Sequence, residues 1–390
     1  MNLLLSDEQR MLVDTARRFV YAELIPLEEE VEQTRRFDPD KARAIFAKSR
    51  ALGLYAMNIP AEYGGGGLSA VDTCLVEEQF GHATDILVRR AFGNVYEVLL
   101  EGTPAQKERW LKPAVRGERT FSVCFTEPGA GSDAAGIKTR AVRDGQSWVL
   151  NGGKYFISDG LFSDFFVVSA VTDPAAGAKG ISLFLVDKGM PGFTIGRDQP
   201  MMGLAGTSHV EMFFDNLRLG PEHLLGKEGQ GLKLALETLG RIRLAHIGAR
   251  AVGKASRLLG MMTGHARERR QFDRPIGEFQ MVQQMLADSA IEIQSARLLV
   301  LHAASLIDAG RDAREAISMV KVSAAETLGR VADRAVQVFG GSGYCKDLPV
   351  ERLYRDARIF RIFDGTSEIH RGVVARGLMR HGAALVDPPM

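Results

Sequence analysis

The spacing of apolar residues changes character twice along this chain, and that double change restricts the fold more than any other feature. Up to about residue 120 the apolar positions recur at helical intervals. From about residue 121 to 229 they fall into short, strand-like runs, and beyond that long helical stripes return. Helices repeat every 3.6 residues and strands every two, so one kind of element cannot serve both patterns. The expectation is an α+β chain in three parts: helical over residues 1–120, β over 121–229 and helical over 230–390.

Local signals fill in these parts. Ser6 or Asp7 is placed to cap a helix whose Met11, Leu12, Thr15, Phe19 and Ala22 share one face, ending near Pro26. Tyr63-Gly64-Gly65-Gly66-Gly67 reads as a loop between helices, since no Lys-Ser/Thr follows to make a phosphate-binding loop. In the β part, Trp148-Val149-Leu150 runs into Asn151-Gly152-Gly153, which predicts a hairpin turn before Lys154-Tyr155-Phe156-Ile157-Ser158. Residues 165–169, 182–186 and 210–214 predict further strands. In the last part, Val282, Leu286, Ala290, Ile293, Ala296 and Val300 form a core-facing stripe. Gly310 stops that helix, Asp312-Ala313-Arg314-Glu315 opens the next with a capping-box pattern, and Gly340-Gly341-Ser342-Gly343 ends it.

Composition removes several function classes. A chain of 390 residues with 45% hydrophobic residues can bury a large core. Its formal net charge is +1, so no overall field favours nucleic acid or an anionic membrane. Cys74, Cys124 and Cys345 form no CxxC pair and leave an odd thiol, as expected in a reducing cytosol, and all three read as core or near-core residues. The eight histidines show no HExxH or other ligand spacing, which argues against a metal site. The first residues lack the basic and apolar regions of a signal peptide, and no uninterrupted apolar stretch is long enough to span a bilayer. A soluble cytoplasmic protein is expected. No GxGxxG joins a strand to a helix, so a Rossmann site is not supported.

Three runs carry chemistry: Thr126-Glu127-Pro128-Gly129-Ala130-Gly131-Ser132-Asp133, Arg269-Arg270-Gln271-Phe272, and Arg361-Ile362-Phe363-Asp364-Gly365-Thr366-Ser367-Glu368-Ile369-His370-Arg371. Each alone has a plain structural reading: a polar turn after a strand, a solvated helix face, and a helix capped by Asp364. If Thr366 or Ser367 caps instead, Asp364 is free to act as a base. Together the runs closely resemble the acyl-CoA dehydrogenases, FAD enzymes that desaturate acyl-CoA thioesters. That family usually has glutamate where this chain has Asp364.

The resemblance covers nearly the whole chain and implies a C-terminal part built like a four-helix bundle, non-covalent FAD, and a homotetramer or homodimer. It places Val123, Phe125, Thr126, Gly131 and Ser132 in the signature loop, with Ser132 touching cofactor or the CoA moiety. Phe156 and Ser158 match the segment beside the isoalloxazine ring. Arg269, Gln271 and Phe272, completed by Gln280, Gln337, Gly340 and Gly341, match the grip on pyrophosphate and adenosine across a subunit interface. Gly365, Thr366 and Glu368 complete the cofactor set, Glu368 standing where glutamine is common. Phe363, Gly365 and Arg243 fall on the substrate side. Arg241 and Arg243 both lie near the family's CoA-contacting arginine. Asn94, Val95, Val98 and Leu99 read equally as the far end of the acyl pocket or as core.

By the same resemblance Asp364 removes the α-proton, its N–H helps to hold the thioester carbonyl, and hydride passes from the β-carbon to flavin N5, giving a 2-enoyl-CoA. Electrons then pass to an electron-transfer flavoprotein. Aspartate reaches about 1.5 Å less than glutamate. The alternatives are a flavin oxidase or monooxygenase of the nitroalkane-oxidase kind, and a non-catalytic acyl-CoA-binding relative. Glu237, about a turn from Arg241, is a reserve base.

Overall fold

In the computed structural model, which describes residues 5–93 and 95–386, the middle of the chain forms one twisted sheet. Its strands are β1 (Phe121–Cys124), β2 (Arg140–Asp144), β3 (Ser147–Ser158), β4 (Phe165–Val171), β5 (Ile181–Asp187), β6 (Phe193–Asp198), β7 (His209–Leu219) and β8 (Leu224–Leu225). The order is β6-β7-β3-β2-β4-β5-β8, with β1 parallel to β4. β4 and β5 are mostly apolar and buried at all but their last positions, because both faces are covered. Phe165 and Val167 pack with Trp110 and Leu99 of the N-terminal helical part. Phe166 and Val168 pack with Trp148 and Phe214 on the other side.

The Asn151-Gly152-Gly153 turn is not there: β3 runs unbroken through it for 12 residues. Gly152 pairs with Phe214 and Gly153 with Phe213, and the register slips by a bulge between Leu150 and Gly152. Gly152 has φ +136°, and a Cβ on it would lie 2.7 Å from the Thr139 backbone, so glycine here serves a bulge under a crossing segment.

The first helix, Asp7–Phe19, has the full capping box, Ser6 and Gln9 exchanging 3.1 Å bonds. Its buried face is Val13, Ala16 and Phe19, while Met11 and Ala22 face water. The helix widens into a π turn over Val20–Leu24, which shifts the phase of the stripe. Further on, Ile293, Ala296 and Val300 of the Gln280–Asp308 helix are buried against Val320, Ala324 and Leu328 of the Arg314–Phe339 helix. Val282 and Leu286 are only partly covered and Ala290 is exposed, so the predicted stripe fails towards its start. Gln280–Asp308 is long and apolar enough to cross a bilayer by length and composition. Asp312 accepts the Arg314 N–H at 3.0 Å, but Ala313 is the N-cap residue and no capping box forms. Cys74 and Cys124 are buried, whereas Cys345 is exposed.

Buried ion pairs tie the three parts together. Glu28 meets Arg257 and Arg352 at 2.8 and 2.9 Å, Glu77 meets Arg250 at 2.5 Å, and Arg89 meets Asp159 at 2.8 Å.

Candidate active site

Asp364 lies in the connection before the Ser367–His381 helix. Thr366 caps that helix, its Oγ1 accepting the Ile369 N–H at 3.2 Å, so the Asp364 carboxylate is not spent as a cap. Asp364 has φ +52°, a left-handed conformation that is strained for any residue with a Cβ. Gly365 follows at φ +93°, where a Cβ would sit 2.8 Å from His370 Nε2.

Two donors hold this strained peptide. Arg243 Nε donates to the Asp364 carbonyl at 2.7 Å, and His370 Nε2 lies 3.2 Å from the same oxygen. A carbonyl only accepts, so Nε2 carries the proton and Nδ1 accepts from the Ser318 hydroxyl at 3.1 Å. Burial, helped by Arg243, brings the His370 pKa down to about 4, and the ring is neutral at pH 7.

Burial raises the pKa of Asp364, with Arg243 and Lys321 pulling the other way. Lys321 is fully buried one helical turn from Ser318, and its Nζ has no hydrogen-bond partner among the described residues. Burial lowers its pKa to about 8 against the opposing charge of Asp364. Arg89 bonds Asp85 and Asp159, both at 2.8 Å, and its charge also reaches Asp364. Asp159 directly follows β3, so the base loop and the end of β3 meet around Arg89.

That end of β3 carries an open aromatic face. Tyr155 N–H donates to the Thr126 carbonyl at 2.8 Å, which sets Thr126 beside Phe156. Phe156 has φ +57° and is 50% exposed, between the buried Lys154 and Ile157. The Thr126 and Ser158 hydroxyls have no partner among the described residues. A strained, half-exposed ring with unspent hydroxyls beside it fits a planar heteroaromatic ligand. Val123 and Phe125 lie partly buried below, while Gly131 and Ser132 are exposed at the tip of the loop.

Glu127, inside this motif, has a structural task that the sequence did not reveal. It accepts Lys154 Nζ at 2.7 Å and the N–H groups of Lys138 and Thr139 at 2.6 and 3.0 Å. Lys154 also donates to Ser169 at 3.0 Å. Burial would raise the Glu127 pKa, but Lys154 outweighs it and the carboxylate stays ionised. This pair pins the loop to the sheet.

A second group gathers elsewhere. Arg269 and Gln271 lead into the Arg270–Gln271/Arg274–Pro275 hairpin, closed by Ile276 N–H on the Arg269 carbonyl at 2.8 Å. Phe272, 87% exposed, stands 6.0 Å edge-on to Phe279, the residue before Gln280. His265 stacks on Phe339 at 4.3 Å and brings Gln337, Gly340 and Gly341 to the same end. Gln337 lies 16 residues along its helix from Lys321, roughly 24 Å. Within one chain, therefore, this group and the Asp364–Phe156 group stand apart.

Arg243, not Arg241, touches the base loop. Phe363 is partly buried, 5.1 Å from Phe360, and Glu368 is exposed. Glu237 is exposed and pairs at 3.9 Å with Lys233, away from Asp364. Val98 and Leu99 are buried under the sheet, and Val95 joins that core. Asn94 lies outside the described residues.

Three family models match the chain in order: acyl-CoA dehydrogenase N-terminal domain over residues 6–118, middle domain over 122–217 and C-terminal domain over 229–379. The chain belongs to the acyl-CoA dehydrogenase family. Cyclohex-1-ene-1-carbonyl-CoA dehydrogenase of Geobacter metallireducens is 40% identical over 382 residues, 96% of this chain and 99% of that protein. Acryloyl-CoA reductase (NADH) of Anaerotignum propionicum is 39% identical over 385 residues, 97% and 96% of the two chains. The structure of butyryl-CoA dehydrogenase from Megasphaera elsdenii superposes with a TM-score of 0.90 at 32% identity, covering 97% of this chain and all of that one. As a member of the acyl-CoA dehydrogenase family the chain is an oxidoreductase whose cofactor is FAD.

Proposed function

We propose that this acyl-CoA dehydrogenase family member desaturates an acyl-CoA thioester to a 2-enoyl-CoA, with Asp364 as the base that takes the α-proton. The observation that carries this reading is the left-handed Asp364, freed from capping and clamped through its carbonyl by Arg243 and His370. A raised pKa makes the carboxylate a stronger base than a solvated one, and nearby cations keep it ionised enough to act. Among the described residues the Asp364 N–H has no acceptor, which leaves it free to hold the thioester oxygen as negative charge develops there. Phe363, Gly365 and Arg243 border the substrate, and Ser132 meets the CoA moiety.

Val123, Phe125, Thr126, Phe156 and Ser158 would hold the flavin ring, with Gly131, Ser132, Gly365, Thr366 and Glu368 around it. Arg269, Gln271, Phe272, Gln280, Gln337, Gly340 and Gly341 of a second copy would hold pyrophosphate and adenosine. Bound FAD supplies the two-electron acceptor for the hydride that leaves the β-carbon. The working units are residues 1–120, 121–229 and 230–390, joined in a homotetramer or homodimer. Exposed Met281, Ile291 and Leu298 on one long helix support such an assembly. An electron-transfer flavoprotein is the proposed acceptor of the electrons.

Anaerobic mixing of the purified protein with a panel of acyl-CoAs, followed by flavin absorbance, tests the reaction. Bleaching by an acyl-CoA is expected. Fast reoxidation in air would move the protein to the oxidase class, and binding without bleaching to a non-catalytic one.

A further inference from the structure

A small cavity of about 60 Å³ lies beside the base loop, lined by Met57, Leu68, Cys74, Leu244 and a set of polar side chains. The polar set includes Glu77, Tyr96, Glu97, Arg241 and His246. Residues 241, 242 and 244–246 line it, while Arg243 from the same stretch bonds the Asp364 carbonyl at 2.7 Å. Asp364 is near enough for its charge to act on Tyr96, and His246 near enough to act on Asp364, so two lining residues neighbour the base. On the dehydrogenase reading, an acyl group with its α-carbon at Asp364 has this cavity within reach of its far end.

The polar groups are arranged, not scattered. His246 Nε2 lies 3.3 Å from Glu77 Oε1, and Arg250 meets the same carboxylate through Nε at 2.5 Å and Nη2 at 3.3 Å. Burial would raise the Glu77 pKa, but Arg250 and His246 bring it down to about 2, so its charge is already answered. The Tyr96 ring stands 5.8 Å from His246, and its hydroxyl has no partner among the described residues. Burial raises the Tyr96 pKa, which keeps that hydroxyl a neutral donor.

Building on the dehydrogenase reading, we propose that the preferred acyl group is short and carries an uncharged oxygen function, a hydroxyl or carbonyl, near its far end. Size sets the first half of this statement. At about 60 Å³ the cavity holds only a few water-sized groups, so it has room for a few heavy atoms beyond the reacting carbons. Chemistry sets the second half. A hydrocarbon tail would strip water from Tyr96 and His246 without replacing its hydrogen bonds. The wall carries both signs, so a charged tail of either kind meets a like charge, Glu97 for a carboxylate and Arg241 for an ammonium. A neutral oxygen can accept from Tyr96 with neither penalty.

The test uses FAD-loaded enzyme and a near-isosteric pair, 5-hydroxypentanoyl-CoA and hexanoyl-CoA, with butyryl-CoA and glutaryl-CoA beside them. The hydroxylated member is expected to have a kcat/KM for anaerobic flavin reduction about tenfold higher, roughly 1.4 kcal/mol. Tyr96→Phe should bring that ratio to near one. A wild-type ratio near or below one, a preference for glutaryl-CoA, or a ratio that Tyr96→Phe leaves intact overturns the proposal. Calorimetric Kd values for the same pair decide it separately: tighter binding of the hydroxylated member supports it and equal binding overturns it. If butyryl-CoA and all the others leave the flavin oxidised, the dehydrogenase reading fails, and the binding comparison still judges the cavity.

Discussion

The loop around Asp364 and the patch around Arg269 are built by opposite means. At the loop, a strained peptide is held by Arg243, His370 and Ser318, and its neighbours are buried. At the patch, Arg269, Gln271, Phe272 and Gln337 face water, and the order comes from the backbone beneath them. The contrast separates two jobs. On the function proposed above, one chain alone positions its base, whereas the patch would grip the cofactor only when a second copy covers it.

The largest effect should come from breaking the loop at its functional atom. Asp364→Asn keeps the size of the side chain but removes the proton acceptor, and flavin reduction should fall by about 100- to 10,000-fold with FAD content unchanged. Breaking the patch should instead cost binding. Arg269→Ala should weaken FAD affinity by about 1.5–3 kcal/mol, measured by flavin release, while the reduction rate at saturating FAD changes much less. Equal loss of chemistry in both variants would erase the distinction between the regions.

A finer probe is the clamp itself. His370→Leu leaves the Asp364 carbonyl with Arg243 alone, and kcat should drop about tenfold with KM little changed. His370→Gln, which offers an amide N–H, should recover part of the loss, as filling the space alone would not. The smallest effect concerns Lys321. Its cation favours the ionised form of Asp364, so Lys321→Met should raise the base's pKa further. The rate limb that climbs as Asp364 loses its proton should then move to higher pH. A move to lower pH would contradict the assigned charge coupling.

The two regions were also unequally legible in the sequence. The three-part architecture followed from periodicity, because burial on one side of a helix or strand leaves a repeat. Thr366 as a cap was open beside Asp364, since local chemistry allows both, and the geometry chose Thr366. The Asn151-Gly152-Gly153 signal was misread because a bulge and a tight turn ask for the same residues. His370, Lys321 and the Glu127–Lys154 pair left no local trace. Their partners lie 6 to 52 residues away, and only the folded chain brings them together. Arg269 and Gln337 were legible through family resemblance alone, since no hydrogen bond or ion pair among the described residues engages their side chains.

The central claim, that Asp364 takes the α-proton, is tested most directly by hydrogen exchange at that carbon. Excess butyryl-CoA is held anaerobically in D₂O with FAD-loaded enzyme, and deuterium at the α-carbon is followed by mass spectrometry. Without an electron acceptor net oxidation stops after about one turnover, while proton removal and return continue. Wild-type enzyme should introduce deuterium, and Asp364→Asn with the same FAD content should introduce almost none. Exchange by Asp364→Asn at the wild-type rate would show that another group is the base.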